Sequence, residues 1–183
     1  MRWLLYIFLL GSSPIFASET SSEKSLGLRL SYTVHLGNIR DYFKNNFAYG
    51  LDGRWEVYED ALGKVYLGTG LQYMALKSDD IRESSSLKLL SLNIGLDQVL
   101  NKNDWYALLL SLRPELTRWW VNNNLSRDYN SDTGSHWGFI FGLNNKFYVA
   151  REFSIYCPLL IHSQQLSLSN IYFDVGIGIE KSF

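Results

Sequence analysis

The adjacent residues His162 and Ser163 come closest in this sequence to a hydrolytic site. A histidine can act as a general base, a serine as a nucleophile, and a carboxylate such as Glu180 can orient the histidine. The spacing argues against this chemistry, because neighbouring residues of a β-strand point to opposite faces. We therefore predict no catalytic residue, and we expect His162 to lie at the edge of a loop.

Asp128, Asn130 and Asp132 alternate as the first ligands of a calcium-binding loop do. The positions that follow lack the glycine and the later glutamate of such a loop, so a solvated loop is the simpler interpretation. The sequence also lacks zinc-ligand spacing, a glycine-rich phosphate loop and a basic patch with interleaved aromatic residues. We therefore expect no metal and no cofactor.

Composition narrows the class of protein. Lys and Arg number 17 against 18 for Asp and Glu, so no positive field favours a nucleic-acid partner. Aromatic residues make up 15% of the 183 residues and proline only three positions, which is typical of one folded, β-rich domain. The single cysteine, Cys157, excludes an intramolecular disulfide and is expected to be a small buried or lipid-facing residue.

The first seventeen residues have the layout of an export signal. Met1 and Arg2 precede an unbroken apolar run from Trp3 to Leu10, a turn follows, and Ala17 offers a small residue for cleavage. The apolar run is far shorter than the ~20 residues of a membrane-spanning helix, which argues against the alternative of an uncleaved anchor. We predict a signal peptide over 1–17 and a barrel domain over 18–183.

Apolar and polar residues alternate with a period of two through the rest of the chain. In the first segment, even positions from Leu26 to Leu36 are apolar or aromatic, whereas odd positions include Gly27 and Arg29. Such alternation is typical of strands with two different faces. We predict eight strands, with apolar markers that start near Leu26, Phe47, Val65, Leu90, Tyr106, Trp137, Phe153 and Ile171.

The connections between the predicted strands alternate between short and long. Segments 59–64, 98–104 and 149–152 are short, whereas the polar segments 37–46, 77–86 and 119–135 are mostly longer. Bacterial membrane barrels have brief periplasmic turns and extended outer loops. The pattern favours antiparallel strands joined in sequence order.

Alternation alone does not distinguish a soluble barrel with an apolar interior from a membrane barrel with an apolar exterior. Glycines such as Gly50 and Gly138 lie on the polar face, where a narrow lumen requires small residues. Trp105 and Tyr106 begin the fifth segment and Trp119–Trp120 end it, a spacing that suits the aromatic girdles of a bilayer. We therefore predict an all-β, closed, eight-stranded antiparallel up-and-down transmembrane β-barrel.

The closing segment from Ile171 to Phe183 alternates throughout and ends in phenylalanine. It resembles the C-terminal strand of Gram-negative outer-membrane proteins, and the whole chain is similar in layout to the small, porin-like barrels of the OmpA/OmpX-like family. The resemblance implies a location in the cell outer membrane, contact with outer-membrane lipid, and recognition of Phe183 by the barrel-assembly machinery during insertion. It implies fold and location more than activity.

Charges on the polar face would be buried in a narrow lumen, where an isolated charge is costly. We predict a plugged interior held by a network of ion pairs. Its expected members are Arg29, Arg54, Glu56, Arg113, Glu115 and Glu180. The alternative is a gated or selective ion path lined by the same residues.

These observations favour a non-enzymatic envelope protein that is structural or binds surface ligands through its outer loops. Loop 118–136 is the expected contact surface for an extracellular ligand, because exposed loops on a rigid scaffold carry recognition. The alternatives are a small ion or solute channel and, with less support, a lipid A-modifying hydrolase. Lipid A deacylases resemble one another through His-x-Ser-Asn, whereas His162 and Ser163 are adjacent here.

Overall fold

The alternating segments form eight β-strands in the computed structural model of the chain. The structure describes residues 23–36, 44, 46–60, 63–78, 86–122, 131–165 and 169–183, so the predicted signal peptide lies outside the described residues. Within these ranges no helix is long and apolar enough to cross a bilayer. The strands are β1 (Lys24–His35), β2 (Asn46–Asp60), β3 (Gly63–Lys77), β4 (Ser86–Lys102), β5 (Tyr106–Asn122), β6 (Ser131–Tyr148), β7 (Phe153–Gln165) and β8 (Ser169–Ser182).

Each strand pairs antiparallel with the next, and β8 pairs with β1 to close the barrel. The predicted fold class is therefore confirmed. A path of paired residues once around the barrel starts at Lys24 and ends at Val34, ten residues further along β1, so the shear number is ten. The path runs through Trp55, Leu67, Leu96, Leu112, Phe141, Ile161 and Phe173.

Several strands continue further than the sequence pattern indicated. β4 runs to Lys102, although residues from Gln98 onward were expected to form a connection. β5 reaches Asn122 and pairs there with Ser131 of β6, so the predicted loop 118–136 is in fact a strand hairpin around residues 123–130, which lie outside the described residues. The prediction was wrong because polar side chains do not end a strand, since the ladder needs only backbone groups.

The apolar face points outward. Leu28 and Ile179 are 69% and 63% exposed, whereas Arg29 and Glu115 are 6% and 0% exposed. β7, whose facing the sequence did not assign, follows the same rule, with Leu159 exposed and its neighbour Leu160 buried. An exterior of exposed Leu, Ile and Phe around a charged interior is the arrangement expected in lipid.

Three short turns, at 61–62, 103–105 and 149–152, and the described chain ends lie at one end of the barrel. The connections at 36–45, 78–85, 123–130 and 166–168 are at the opposite end, and the first three of these are longer. Short turns are periplasmic in bacterial outer-membrane barrels. We accordingly call these the periplasmic end and the outer end.

Two small apolar clusters lie inside the barrel, one towards each end. The outer cluster contains Ala48, Met74, Leu76, Leu87, Leu89 and Tyr172, and the periplasmic cluster contains Tyr66, Val99, Ala107 and Leu109. Trp119 packs against the outer cluster, so it is not part of the outward aromatic girdle in which the sequence placed it; its neighbour Trp120 is on the lipid-facing side. Because neighbouring residues of a strand point to opposite faces, the rings of Trp119 and Trp120 lie on opposite sides of the barrel wall. The polar side chains lie mainly between the clusters.

Candidate functional site in the barrel lumen

Charged side chains from six of the eight strands, β1, β2, β4, β5, β6 and β8, point into the lumen, because they occupy the inward positions of alternating strands. Each is nearly inaccessible to solvent, so it must find a partner of opposite charge or a hydrogen bond inside the barrel. The buried cations among the described residues are Arg29, Arg54, Arg113 and Lys146, and the buried carboxylates are Asp52, Asp97, Glu115, Asp174 and Glu180.

In the periplasmic half, cations and carboxylates alternate along a chain of contacts. The Asp97 carboxylate accepts hydrogen bonds from Arg54 Nε at 2.8 Å and from Arg113 Nε at 3.0 Å. Arg54 also donates to Glu180, and Lys146 Nζ donates to the other Glu180 oxygen at 2.6 Å. Charge-assisted hydrogen bonds of this kind are stronger than hydrogen bonds between neutral groups. The chain links β2, β4, β5, β6 and β8 across the lumen.

Arg29 is the central cation. Its Nε lies 3.5 Å from Asp52 and its Nη1 lies 3.7 Å from Asp174. Gln72 Nε2 donates to Asp174 at 3.1 Å, and the Tyr156 hydroxyl donates to Asp52 at 2.8 Å. Gln72 and Tyr156 are neutral donors, and they give Asp174 and Asp52 hydrogen bonds in addition to the contacts with Arg29.

His162 lies in the outer half between two carboxylates. Its Nδ1 is 3.2 Å from Glu115 Oε2 and its Nε2 is 3.6 Å from Asp174 Oδ2. The imidazole stacks on the Tyr172 ring with 4.2 Å between centroids and 12° between planes. Gln164 Nε2 donates to Glu115 at 3.2 Å. His162 is fully buried, so the expectation that it lies at a loop edge was wrong; its strand is apolar on both faces, which hid the inward position.

The described lumen holds four lysine and arginine side chains and two histidines, His35 and His162, against five carboxylates. A proton on both ring nitrogens of one histidine would balance these charges. A net buried charge would be costly in a low dielectric. The position between Glu115 and Asp174 is where such a proton is best stabilised.

Little empty space remains among these side chains. The central cavity has a volume of about 10 Å³ and is lined by Arg29, Asp52, Arg113, Ile140 and Leu160, among others. This is about the volume one water molecule needs. Glycine allows such packing: a Cβ added at Gly68 would lie 2.6 Å from Arg113 Nη2, so the guanidinium lies flat over a position where no side chain fits.

Of the six residues predicted to form the lumen network, the structure places five in the buried interior: Arg29, Arg54, Arg113, Glu115 and Glu180. Glu56 lies instead at the periplasmic rim, where Lys64 Nζ donates to it at 2.7 Å. A register shift between Glu56 and Tyr58 ends the regular alternation there.

Sequence reasoning missed several partners in the network. Asp52 and Asp174 were on the recognised polar faces but were not assigned to the network, and Asp97 and Lys146 share the inward parity of their strands. Continuing each alternation by two residues would have found Asp97 and Lys146. His162 had no such signal, because residues on both faces of β7 are apolar.

The structure does not bring together the residues that the sequence offered as a hydrolytic site or a metal site. His162 is buried in the lumen, whereas Ser163 is exposed on the outer face, so the hydroxyl does not face the imidazole. No three His, Cys, Asp or Glu side chains of the described chain form a group suited to a metal ion. Asp128 and Asn130 lie outside the described residues, and Asp132 belongs to β6. Cys157 is half-buried on the outward side of β7.

No protein-family model matches this chain, and no curated protein matches its sequence. Solved structures do match. Ail, the attachment invasion locus protein of Yersinia pestis, in complex with the heparin analogue sucrose octasulfate, is 12% identical, with 90% of this chain and 100% of that chain covered and a TM-score of 0.59. The fold is that of the small outer-membrane β-barrels.

Two further barrels show the range of proteins with this fold. Neisserial surface protein A is 10% identical over 87% of this chain and 97% of that chain, with a TM-score of 0.59. The outer membrane protease OmpT from Escherichia coli is 6% identical over 94% of this chain and 100% of that chain, with a TM-score of 0.52. At such identities the likeness shows the fold, which also serves proteins with different activities.

Proposed function

We propose that this chain is a non-enzymatic protein of the outer membrane, with a solid barrel that anchors a surface-binding hairpin. The filled lumen carries this proposal. Cations and carboxylates pair across it, and the central cavity among them, of about 10 Å³, has room for about one water molecule. A barrel of this kind is a rigid scaffold for the hairpin at its outer end.

Conductance across a planar bilayer tests the plugged lumen. Heat-modifiable barrel purified from outer membranes should give no large, steady current at moderate voltage, because ions cannot pass through paired buried charges without breaking them. A stable conductance that D97N or R113Q altered would replace this proposal with the channel alternative.

The hydrolase alternative receives no support from the lumen. A base and its nucleophile must lie within hydrogen-bond reach, and His162 and Ser163 are on opposite sides of the barrel wall. Membranes that contain the chain should leave the acyl chains of lipid A intact. Loss of an acyl chain that H162A abolished would contradict the non-enzymatic assignment.

The hairpin formed by β5 and β6 is the proposed contact surface, within the region 118–136. It extends beyond the end of β7: Gly138 pairs with Gln164, whereas the more distal β6 residues down to Ser131 pair with β5. Arg118, Thr133 and Ser135 on it are exposed. On its other side the hairpin stays paired with β4 up to Asn122 and Ser86. A hairpin with one edge beyond its neighbouring strand is well placed to meet an extracellular ligand.

A hairpin exchange tests this surface. Residues 123–130 are replaced by a two-residue Asn-Gly turn, which keeps the strand pairing of Asn122 with Ser131. Surface binding by cells that display the chain should fall while heat-modifiable migration is retained. Unchanged binding to every tested host-cell surface would contradict a hairpin-borne interaction. Replacing 79–85 in the same way provides the matched control.

We also propose that Phe183 serves as the assembly signal read by the barrel-assembly machinery. Its side chain is 72% exposed, and its backbone N–H donates to the Lys24 carbonyl at 2.8 Å, at the seam between β8 and β1. The residue therefore projects outward where the barrel closes. F183A should slow insertion in cells more than refolding in detergent, because only the cellular route uses the machinery.

A further inference from the structure

Three cations face outward on consecutive strands at the outer end of the apolar belt. They are Lys77 of β3, Lys88 of β4 and Arg118 of β5, and all three side chains are exposed. Trp120 lies among them on the same outward face: it pairs across the strands with Lys88, and the Arg118 guanidinium sits over its ring at 5.5 Å. We call Lys77, Lys88, Arg118 and Trp120 the outer basic row.

The strand register makes the three cations adjacent. Lys77 pairs with Ser86, two residues from Lys88, and Lys88 pairs with Trp120, two residues from Arg118. Each neighbouring pair of cations is therefore diagonal across two strands. Diagonal neighbours on one face of a sheet lie roughly 7 to 8 Å apart, within reach of long side chains.

The stagger of the barrel sets these residues at nearly one depth. With a shear of ten over eight strands, positions of equal depth shift by about 1.25 residues towards the periplasmic end from each strand to the next. From Lys77 to Lys88 the row shifts by two residues in that direction, and from Lys88 to Arg118 it shifts by two more. The outer basic row therefore runs almost parallel to the membrane plane.

The depth of the row matches the level of lipid headgroups. On β5, outward positions from Tyr106 to Leu116 are mostly apolar, and Arg118 is the next outward residue. Twelve residues separate Tyr106 from Arg118. At ~3.3 Å per residue and a tilt near 40°, this is roughly 30 Å along the membrane normal, just beyond the ~25 Å apolar band.

No protein carboxylate neutralises the row in the ranges that the structure describes. None of its three cations takes part in an ion pair there, in contrast to Lys64, Lys146 and Lys181. Like charges placed side by side on a sheet are destabilising unless an anion lies between them. At this depth the surroundings offer anions of their own, the phosphates of lipid headgroups.

We propose that the outer basic row binds the phosphate groups of a lipid in the outer leaflet. Arg118 presents a planar donor fork that matches phosphate oxygens, and the two lysines add mobile positive charges beside it. Trp120 gives the sugar or glycerol part of the headgroup an aromatic face at the interface. The proposal rests on the proposed outer-membrane orientation, with the longer connections outward.

Native mass spectrometry of the purified barrel tests this site. The probe is bisphosphoryl lipid A, titrated in neutral detergent against wild type and K77Q/K88Q/R118Q. Each surface cation contributes about fivefold to the binding of an anionic lipid, so the triple variant should bind roughly a hundredfold more weakly. Removing one phosphate from the probe should weaken wild-type binding and leave the triple variant almost unchanged.

The matched control is K24Q/K181Q. These lysines face outward at the periplasmic end, on the paired strands β1 and β8, and lie over the aromatic rings of Trp55 and Phe153. The control removes two lipid-facing charges at the opposite depth and should keep wild-type affinity. K77R/K88R, which retains the charge, should also keep it. Heat-modifiable migration verifies that every variant is folded.

Three results would overturn the proposal. The triple variant could bind the probe as tightly as wild type, or K24Q/K181Q could lose as much affinity as the triple variant. Inorganic pyrophosphate could also displace the lipid at equal concentration, which would make the row a site for a soluble anion. None of these results bears on the plugged lumen, because conductance is measured separately on the same folded variants.

Discussion

The Nδ1 atom of His162 lies 3.2 Å from a carboxylate oxygen of Glu115, deep in the barrel. The opposite ring nitrogen faces Asp174 at 3.6 Å, so the imidazole stands between two carboxylates. With a proton on both ring nitrogens, the imidazole would be the fifth positive charge beside the three arginines and Lys146. The lumen is thus a chain of alternating charges in which removing one member leaves its neighbour buried and unpaired.

The first prediction concerns this pair. H162Q removes the positive charge beside Glu115 and should lower the free energy of unfolding by about 3 kcal/mol. E115Q alone should also be destabilising. The double variant H162Q/E115Q should lose less than the sum, with a coupling of about 1 to 3 kcal/mol, because it removes both charges together.

Urea unfolding in phospholipid vesicles, followed by tryptophan fluorescence, measures all three variants. S163A is the control, because Ser163 is exposed on the outer face and takes no part in the lumen. Strict additivity of the two single changes would show that no charge pair joins His162 to Glu115.

The second prediction concerns Asp97, which joins Arg54 and Arg113. D97N keeps the shape of the side chain but leaves two guanidiniums without their shared carboxylate. We expect a loss of about 3 to 5 kcal/mol, visible as a lower temperature of the heat-modifiable transition on gels.

The matched change for Asp97 is E56Q. Glu56 also pairs with a cation, Lys64, but the pair lies at the periplasmic rim with side chains 17% and 24% exposed. A pair reached by solvent contributes about 0 to 1 kcal/mol. Equal effects of D97N and E56Q would contradict the distinction between lumen and rim.

The third prediction concerns the close approach of Arg113 to Gly68. G68A places a Cβ 2.6 Å from Arg113 Nη2, which forces the guanidinium away from Asp97. Overpacking of this kind costs about 1 to 3 kcal/mol. The control is G53A, on the outward side of β2, where the added Cβ lies 2.9 Å from Thr69 Oγ1, at the end of a side chain, and 3.9 Å from the Ser25 carbonyl oxygen. A neutral G68A would show that Arg113 has another equally good position.

The fourth prediction tests the facing of the strands. L112R introduces a charge near the middle of the apolar belt and should lower stability by about 2 to 4 kcal/mol in a bilayer. V57R, near the periplasmic rim, should cost about 0 to 1 kcal/mol. Both parent side chains are exposed, so they differ mainly in depth. If the two changes had equal, small effects, the exterior would be in water.

Local patterning was enough to predict the barrel. Alternation from Leu26 to Leu36 and again from Ile171 to Ile179 places polar residues on one face of β1 and β8, and the polar-face glycines favoured a narrow lumen. The period of two depends only on backbone geometry, so it is readable without contacts between strands. The same patterning underestimated strand length at Lys102 and Asn122, because it records exposure to lipid and not backbone pairing.

The partners inside the lumen were decided by tertiary structure. Asp97 meets Arg54, 43 residues away, and Arg54 meets Glu180, 126 residues away, only because closure and a shear of ten bring β2, β4 and β8 to one level. The same stagger aligns Lys77, Lys88 and Arg118 at one depth. The sequence by itself determined which face each strand presents, because that is a property of neighbouring residues; which charges meet depends on register, which is set by the whole closed sheet.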